Sequence, residues 1–375
     1  SVICEVIMAK ELRSGYTTGA CAAAGVKAAF LFQAGADWRT VELTALDGTP
    51  LTIPVKDVAE TPEGIRAEVV KFSGDDPDIT NGVSVFTTVV LRDMAGIEFR
   101  AGEGVGTVTK RGMSLPVGEP SINEGPRTLI RNVIAEMTGR ADFGACVTIA
   151  IPAGVELAKK TLNPVLGIEG GISVIGTTGV LRPMSEEAFK DSLVPQIDVA
   201  LASGEPVLVF VPGKIGEKIA LSLGVPKTAL IETSNFMGFM LDRAAERGAE
   251  RILILGHTGK LVKMAAGVFH THNRIADARL ETLAAYAAAE GLVQDDVRAV
   301  LAANTTEDAM EIISAADLME RVCAVIAERV HIRAERYLFG KVQVGALMVN
   351  YAGDILGTDE RAHDFARAYG WRFEQ

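Results

Sequence analysis

The second half of the chain is punctuated by short runs that are almost wholly apolar: "EPVLVFV", "TALIE" and "RILILG". Helical patterns separate them. Strands buried on both faces read this way, and their alternation with helices predicts βαβ units around a parallel sheet. "FMGFMLDRAAERG" carries apolar residues at helical spacing and stops at Gly248. "ARLETLAAYAAAEG" reads as a close-packed helix of small residues. The first half has another rhythm. Threonine at 17 or 18 caps an alanine-rich helix in "GYTTGACAAAGVKAAFLFQAG", with Gly35 at its C′ position. Turn-punctuated segments follow: "TVELTALDGTPLTIPV", "GIRAEVVKF", "VSVFTTVVLRD" and "GIEFRAG". The Asp47-Gly48 pair marks a hairpin. A helix at "PRTLIRNVIAEMTG" and a strand at "CVTIAIP" complete an α+β half with a mostly antiparallel sheet. "MSEEAFKDSLVPQIDVALASG" reads as one helix bridging the halves, with Ser185 as N-cap. Two domains are expected, 1–185 and 186–375.

Composition narrows the function. Across 375 residues, 48% hydrophobic and 23% charged, no apolar run reaches the roughly 18 residues a membrane helix needs. A cytoplasmic protein without membrane partners is expected. The start, "SVICEVIMAKELRSG", is broken by Glu5 and Lys10 and lacks a signal-peptide layout. A net charge of −11 argues against nucleic acid, whose non-specific binding rests on Lys and Arg. An acidic ligand would need positive charge gathered locally. Cys4, Cys21, Cys146 and Cys323 are scattered without C-x-x-C spacing, so reduced, buried thiols are expected. His270 and His272 lack a neighbouring cysteine or carboxylate cluster, and no metal site is expected.

The loops hold the candidate chemistry. In "VLVFVPGKIGEKIALSLGVPKTALIE" a buried strand meets a turn with Gly213 and Gly216, a helix follows, and the next strand ends at Glu232. That acid lies 19 positions beyond Gly213. Glycines there let backbone approach a ligand, and the carboxylate suits two ribose hydroxyls. In "ILILGHTGKLVKMAAG", Gly256, Thr258 and Gly259 put backbone N–H groups at a helix start, with Lys260 and Lys263 on its first turn. The arrangement favours an anion, phosphate or carboxylate. Leu261 after the lysine departs from a phosphate-binding P-loop. "SGDDPDITNG" reads as a solvated turn, or as carboxylates that position a cationic group or accept a proton. "GEGVGTVTKRG" reads as a flexible, substrate-facing loop with Lys110 and Arg111 behind it. "LGIEGGISVIGTTGVLRP" would let backbone approach a large planar ligand, or simply cross between domains.

Together "LRSGYTTGACAAA", "GDDPDITNG", "GEGVGTVTKRG", "PAGVELAKKTLNPVLGIEGGISVIGTTGVLRPMSEEA", "SNFMGFMLDRA" and "LILGHTGKLVKMAAGVFHTHN" resemble the CbiD family. The resemblance spans Leu12 to Gly353. It implies a cobalt-precorrin-5B C1-methyltransferase of anaerobic cobalamin synthesis, using S-adenosylmethionine on an anionic cobalt-tetrapyrrole. It also implies an α+β N-terminal domain and a Rossmann-like C-terminal one. Donor-binding candidates are Gly213, Gly216, Glu232, Gly256, Thr258 and Gly259. Thr17, Thr18, Lys110, Arg111, Arg182, Lys260 and Lys263 are candidates for the substrate, with Lys214 and Arg274 on the same basic rim. Asp75, Asp78, Glu103 and His257 are candidate proton acceptors. Cobalt enters with the substrate and needs no protein ligand. A homodimer is left open, as are two other functions: a corrinoid carrier and a nucleotide-dependent phosphotransferase.

Overall fold

The computed structural model describes residues 12–373. Cys4 and most of the opening "SVICEVIMAKELRSG", on which the signal-peptide reading rested, therefore lie outside the described residues. The chain divides into two compact units, Ser1–Glu186 and Glu187–Gln375.

In the first unit, Thr17 caps helix α1 (Thr18–Gln33), its hydroxyl accepting from Ala20 N–H, and Gly35 follows at φ +69°. Alanine and glycine dominate α1 because it lies buried against the sheet and against helix α2 (Glu124–Thr138). Five strands form that sheet: β1 (Asp57–Thr61), β2 (Gly64–Val70), β3 (Ser84–Leu91), β4 (Ile97–Ala101) and β5 (Ala145–Ala150). Their order is β1-β2-β3-β5-β4, antiparallel except for the parallel β5–β4 pair. Thr40–Thr44 and Pro50–Pro54 make the expected separate hairpin about Gly48.

The second unit is built on β6 (Leu208–Val211), β7 (Leu230–Glu232), β8 (Arg251–His257), β9 (Gln343–Val349) and β10 (Ile355–Thr358), in the order β7-β6-β8-β9-β10. The first four are parallel and β10 is an antiparallel edge, so the sheet is mixed rather than all-parallel. Val209, Val211, Leu253 and Leu255 pack on one face, toward helices α3 (Lys214–Ser222) and α10 (Glu360–Tyr369). Helix α5 (Thr258–Ala265) packs on α9 (Met319–Tyr337). Between α3 and α5 comes α4 (Met237–Glu246). The helices α6 (Arg279–Ala289), α7 (Gln294–Leu301) and α8 (Thr306–Ala315) run between α5 and α9. Full burial of both strand faces explains the unbroken apolar runs. The bridging segment is not one helix: it breaks into Glu186–Leu193 and Pro195–Ala202. Pro195, lacking an N–H, restarts the helix at its first turn. No helix among the described residues is long and apolar enough to cross a membrane.

Candidate functional site

Neighbouring strands β6 and β8 send the chain opposite ways. After β6 it turns through α3 to the outer strand β7, whereas after β8 it passes through α5 toward β9. Such a reversal opens a crevice at the carboxyl ends of the strands. Its walls here are the Pro212–Lys214 turn and the Gly256–Gly259 turn. They lie close together: a Cβ on Gly256 would come within 3.0 Å of the Pro212 ring. Gly216 seats α3 on the sheet, because a Cβ there would press on Leu255 O and Val211 at 3.2–3.4 Å. Gly213 caps α3 in extended conformation, with open space where a side chain would stand.

Glu232 ends β7 at this rim. Its backbone is gripped from both sides by buried Gln196, which accepts from Glu232 N–H at 2.8 Å and donates to Glu232 O at 3.2 Å. Its carboxylate meets the Lys214 ammonium at 3.0 Å, and Lys214 also reaches Glu217. Burial opposes charge on Lys214, but the two carboxylates outweigh it and hold its pKa above the usual lysine value. Lys214 is thus tied up locally, rather than free on a basic rim. Behind Glu232, the buried Thr233 hydroxyl has no partner among the described residues. Next to it Ser234 sits at φ +51°. Strain of that kind, costing about 1–3 kcal/mol, persists where surrounding structure imposes it.

Across the crevice, His257 caps α5. Its Nδ1 accepts from Gly259 N–H at 3.2 Å, which puts the ring proton on Nε2. Burial, then the Lys260 charge, lowers its pKa and keeps the ring neutral. The ring stacks on Tyr351, with centroids 4.9 Å apart. Lys260 donates to Asn235 Oδ1 and to Thr271 Oγ1. Lys263, fully buried, donates to Thr271 O at 3.0 Å and to Asn273 Oδ1 at 2.6 Å. Neither ammonium meets a carboxylate within ion-pair distance among the described residues. Burial lowers both pKa values; the neighbouring Lys263 adds to this at Lys260. Two sunken cations held by neutral oxygens at a helix start form a positive patch. Thr258 and Gly259 are buried on that first turn. Arg274 stands exposed on the following loop.

The first unit answers differently. Asp78 accepts from the Lys71 ammonium at 2.7 Å and from Thr80 N–H and Oγ1. Burial pushes its carboxyl up, but these donors prevail and hold it below the usual range. Asp75 binds Arg13 N–H and guanidinium, each at 2.8 Å, and Asp76 takes Met184 N–H. The acidic loop is thus a clamp and not simply a solvated turn. Thr17 N–H bonds Gly179 O. The Thr18 hydroxyl accepts from Ile175 N–H and donates to Ile175 O, so both hydroxyls serve the fold. Arg182 pairs with Asp47 at 2.7 Å, holding that carboxyl at about 2. Lys110 lies along Gly167 and reaches Val165 O. Arg111 and Glu103 are exposed.

The glycine loop is not flexible. Gly104–Val105 pairs with Gly171–Ile172, and Thr107–Val108 with Ile168–Glu169. A Cβ on Gly104 would overlap Ile151 O, and one on Gly171 would overlap Gly104. These glycines let backbone cross backbone. Hence the structure gathers Gly213, Gly216, Glu232, Gly256, Thr258, Gly259, His257, Lys260 and Lys263 at one set of strand ends, has Lys214 and Arg274 in the same unit, and puts the remaining candidates in the other unit. Sequence reading missed Gln196, Thr233, Asn235 and Tyr351. Only "SN" in "SNFMGFMLDRA" hinted at any of them. Cys21, Cys146 and Cys323 are free and buried.

A reversal crevice with glycine turns, a terminal acid and a helix start describes an α/β unit suited to a small ligand, joined to an α+β unit of interlocked loops. The CbiD family model matches residues 6–183, and the model of the CbiD C-terminal domain matches 270–360. The cobalt-precorrin-5B C(1)-methyltransferase of Moorella thermoacetica is 45% identical over 97% of this chain and 100% of its own. That of Methanocaldococcus jannaschii is 44% identical over 93% and 97%. A crystal structure of cobalamin biosynthesis protein CbiD from Archaeoglobus fulgidus is 27% identical and covers 71% of this chain and 83% of that one, with a TM-score of 0.38. The chain belongs to the CbiD family.

Proposed function

We propose that this protein transfers a methyl group from S-adenosylmethionine to C1 of cobalt-precorrin-5B, giving cobalt-precorrin-6A in the anaerobic, cytoplasmic route to cobalamin. The carrying observation is the near-full-length agreement, at 45% identity, with a relative of that name. The Glu187–Gln375 unit, read as Rossmann-like with an antiparallel edge, takes the donor at its reversal crevice. Two local features fit an adenosyl group: the open space over Gly213 and the unpartnered Thr233 hydroxyl behind Glu232.

Bound there, the donor supplies an electrophilic methyl group on a positively charged sulfur. Glu232 takes the ribose hydroxyls once Lys214, exposed on α3, swings aside. Gly213 and Gly216 bring backbone close beneath. Gly256, Thr258 and Gly259 face a carboxylate, with Lys260 and Lys263 supplying the charge. In the first unit, Lys110, Arg111 and Arg182 hold the macrocycle's acetates and propionates. The rate advantage comes from aligning methyl donor and acceptor with water excluded, with no covalent protein nucleophile. His257 positions its loop and does not take a proton, since its Nδ1 is committed to Gly259. Asp75 and Asp78 are likewise engaged. Exposed Glu103 remains as the proton acceptor.

The test is methyl transfer to cobalt-precorrin-5B, paired with calorimetric titration of S-adenosylhomocysteine. Glu232→Ala should weaken that titration by roughly 10- to 100-fold, as expected for losing hydrogen bonds to a charged group. Donor binding without transfer would favour a carrier. Unchanged affinity in the variant would remove Glu232 from the ribose.

A further inference from the structure

Three loops far apart in sequence are knitted together in the first unit. Tyr16 N–H bonds Phe72 O, Thr17 N–H bonds Gly179 O, and Gly19 N–H bonds Ile175 O. Gly15 pairs with Leu181. Side chains at Gly15, Gly74 and Gly176 would overlap Phe72 O, Arg13 O and the Thr17 hydroxyl respectively. Asp76 holds Met184 N–H at a residue forced to φ +57°. So close a knit fixes the loops in one arrangement before any ligand arrives.

On this rigid knot stand side chains that a folded core would normally hide. Phe72 is 39% exposed, Ile79 46%, Ile175 52% and Met184 68%. Large exposed apolar groups on preorganised loops that are bonded to one another mark a binding surface more often than a solvent-facing one. Two guanidiniums flank it, Arg13 and Arg182, each exposed at its tip and aimed by a carboxylate, Asp75 and Asp47. Arg13 also lies 5.7 Å from the centre of the Phe72 ring. An apolar floor with guanidiniums at its edge matches a flat ring whose faces are apolar and whose rim bears carboxylates.

The geometry points to this three-loop knot as the seat of the tetrapyrrole, with Phe72, Ile79, Ile175 and Met184 under the macrocycle and Arg13 and Arg182 at its carboxylates. The inference rests on the methyltransferase reading and adds the face that reading leaves open. It also moves the macrocycle's apolar contacts away from Lys110 and Arg111, which lie on another loop.

The probe is cobalt uroporphyrin, a flat cobalt tetrapyrrole ringed with acetates and propionates, titrated by absorbance into the full chain. Phe72→Ala and Ile175→Ser change exposed positions, so folding should survive, which circular dichroism checks. Each should weaken the probe about tenfold, as losing the burial of one large apolar side chain predicts. S-adenosylhomocysteine affinity should stay unchanged in both. Phe339→Ala, in the other unit at an 87% exposed residue, should leave both ligands alone. Equal probe affinity in wild type and the two loop variants overturns the inference, as does an equal loss in Phe339→Ala. Wild type that binds neither ligand would instead count against the methyltransferase reading.

Discussion

Lys71 is 3% exposed and shares its ammonium between Ser73 Oγ at 2.6 Å and Asp78 at 2.7 Å. Removing one partner of such a pair leaves a buried charge without compensation. Asp78→Ala should therefore lose about 2–4 kcal/mol of stability in urea unfolding, and Lys71→Met with Asp78→Asn should recover part of it. A stable Asp78→Ala that had lost turnover would restore Asp78 as a catalytic acid–base group. His257 carries a pH signature. Its folded pKa lies below the ordinary 6.5, so below that value the unfolded chain binds more protons. The stability from the neutral cap is present in full above pH 6.5 and is lost as pH falls through the folded pKa. His257→Asn keeps a capping acceptor without titrating. The stability difference between wild type and this variant should thus be flat above 6.5 and change below it. Parallel curves throughout would show that the ring does not cap α5 in solution.

At the scale of elements, the glycines divide by what surrounds them. Gly104, at φ +76°, has Ile151 O where a side chain would go, whereas Gly170, at φ +90°, has open space. Gly104→Ala should cost about 3 kcal/mol or more, from overlap added to backbone strain. Gly170→Ala should cost about 1–2 kcal/mol, from strain alone. Equal shifts of the two urea midpoints would refute the interlocked packing. The same loops mark where sequence reading stopped. Runs such as "RILILG" identify their strands because burial on both faces leaves no alternative to apolar residues, and Thr17 and Gly35 announce the ends of α1 by capping chemistry. "GEGVG" announces only that backbone needs freedom. Whether a ligand or another backbone claims that freedom depends on partners some 65 residues away, Gly171 against Gly104 being one. The break at Val194 was legible in Pro195, but the amphipathic pattern runs through it. Strand β9 was not legible in "VQVGALMV", although Gly340 and Gly353 mark turns on either side, because Gly345, which lies against Ala362, interrupts the apolar run.

For the whole molecule, chemistry and architecture divide along the chain. One unit carries a reversal crevice with a helix start and two sunken lysines. The other carries a knot of loops whose acids and hydroxyls mostly hold the knot together. The first kind of site could be read in sequence because its parts follow one another within Gly213–Lys263. The second could be read only loop by loop, with Thr17, Thr18 and Arg182 among its candidates, since its assembly from three distant segments leaves no local pattern. Methyl transfer by this chain depends on where the donor sits, so the decisive measurement is a crystal structure of the protein with S-adenosylhomocysteine. Density along the Gly213–Glu232 edge of the crevice, with the ribose at Glu232 and the carboxylate toward the start of α5, is the predicted result. Well-ordered density for that ligand elsewhere on the chain, with this crevice left to water, would contradict it.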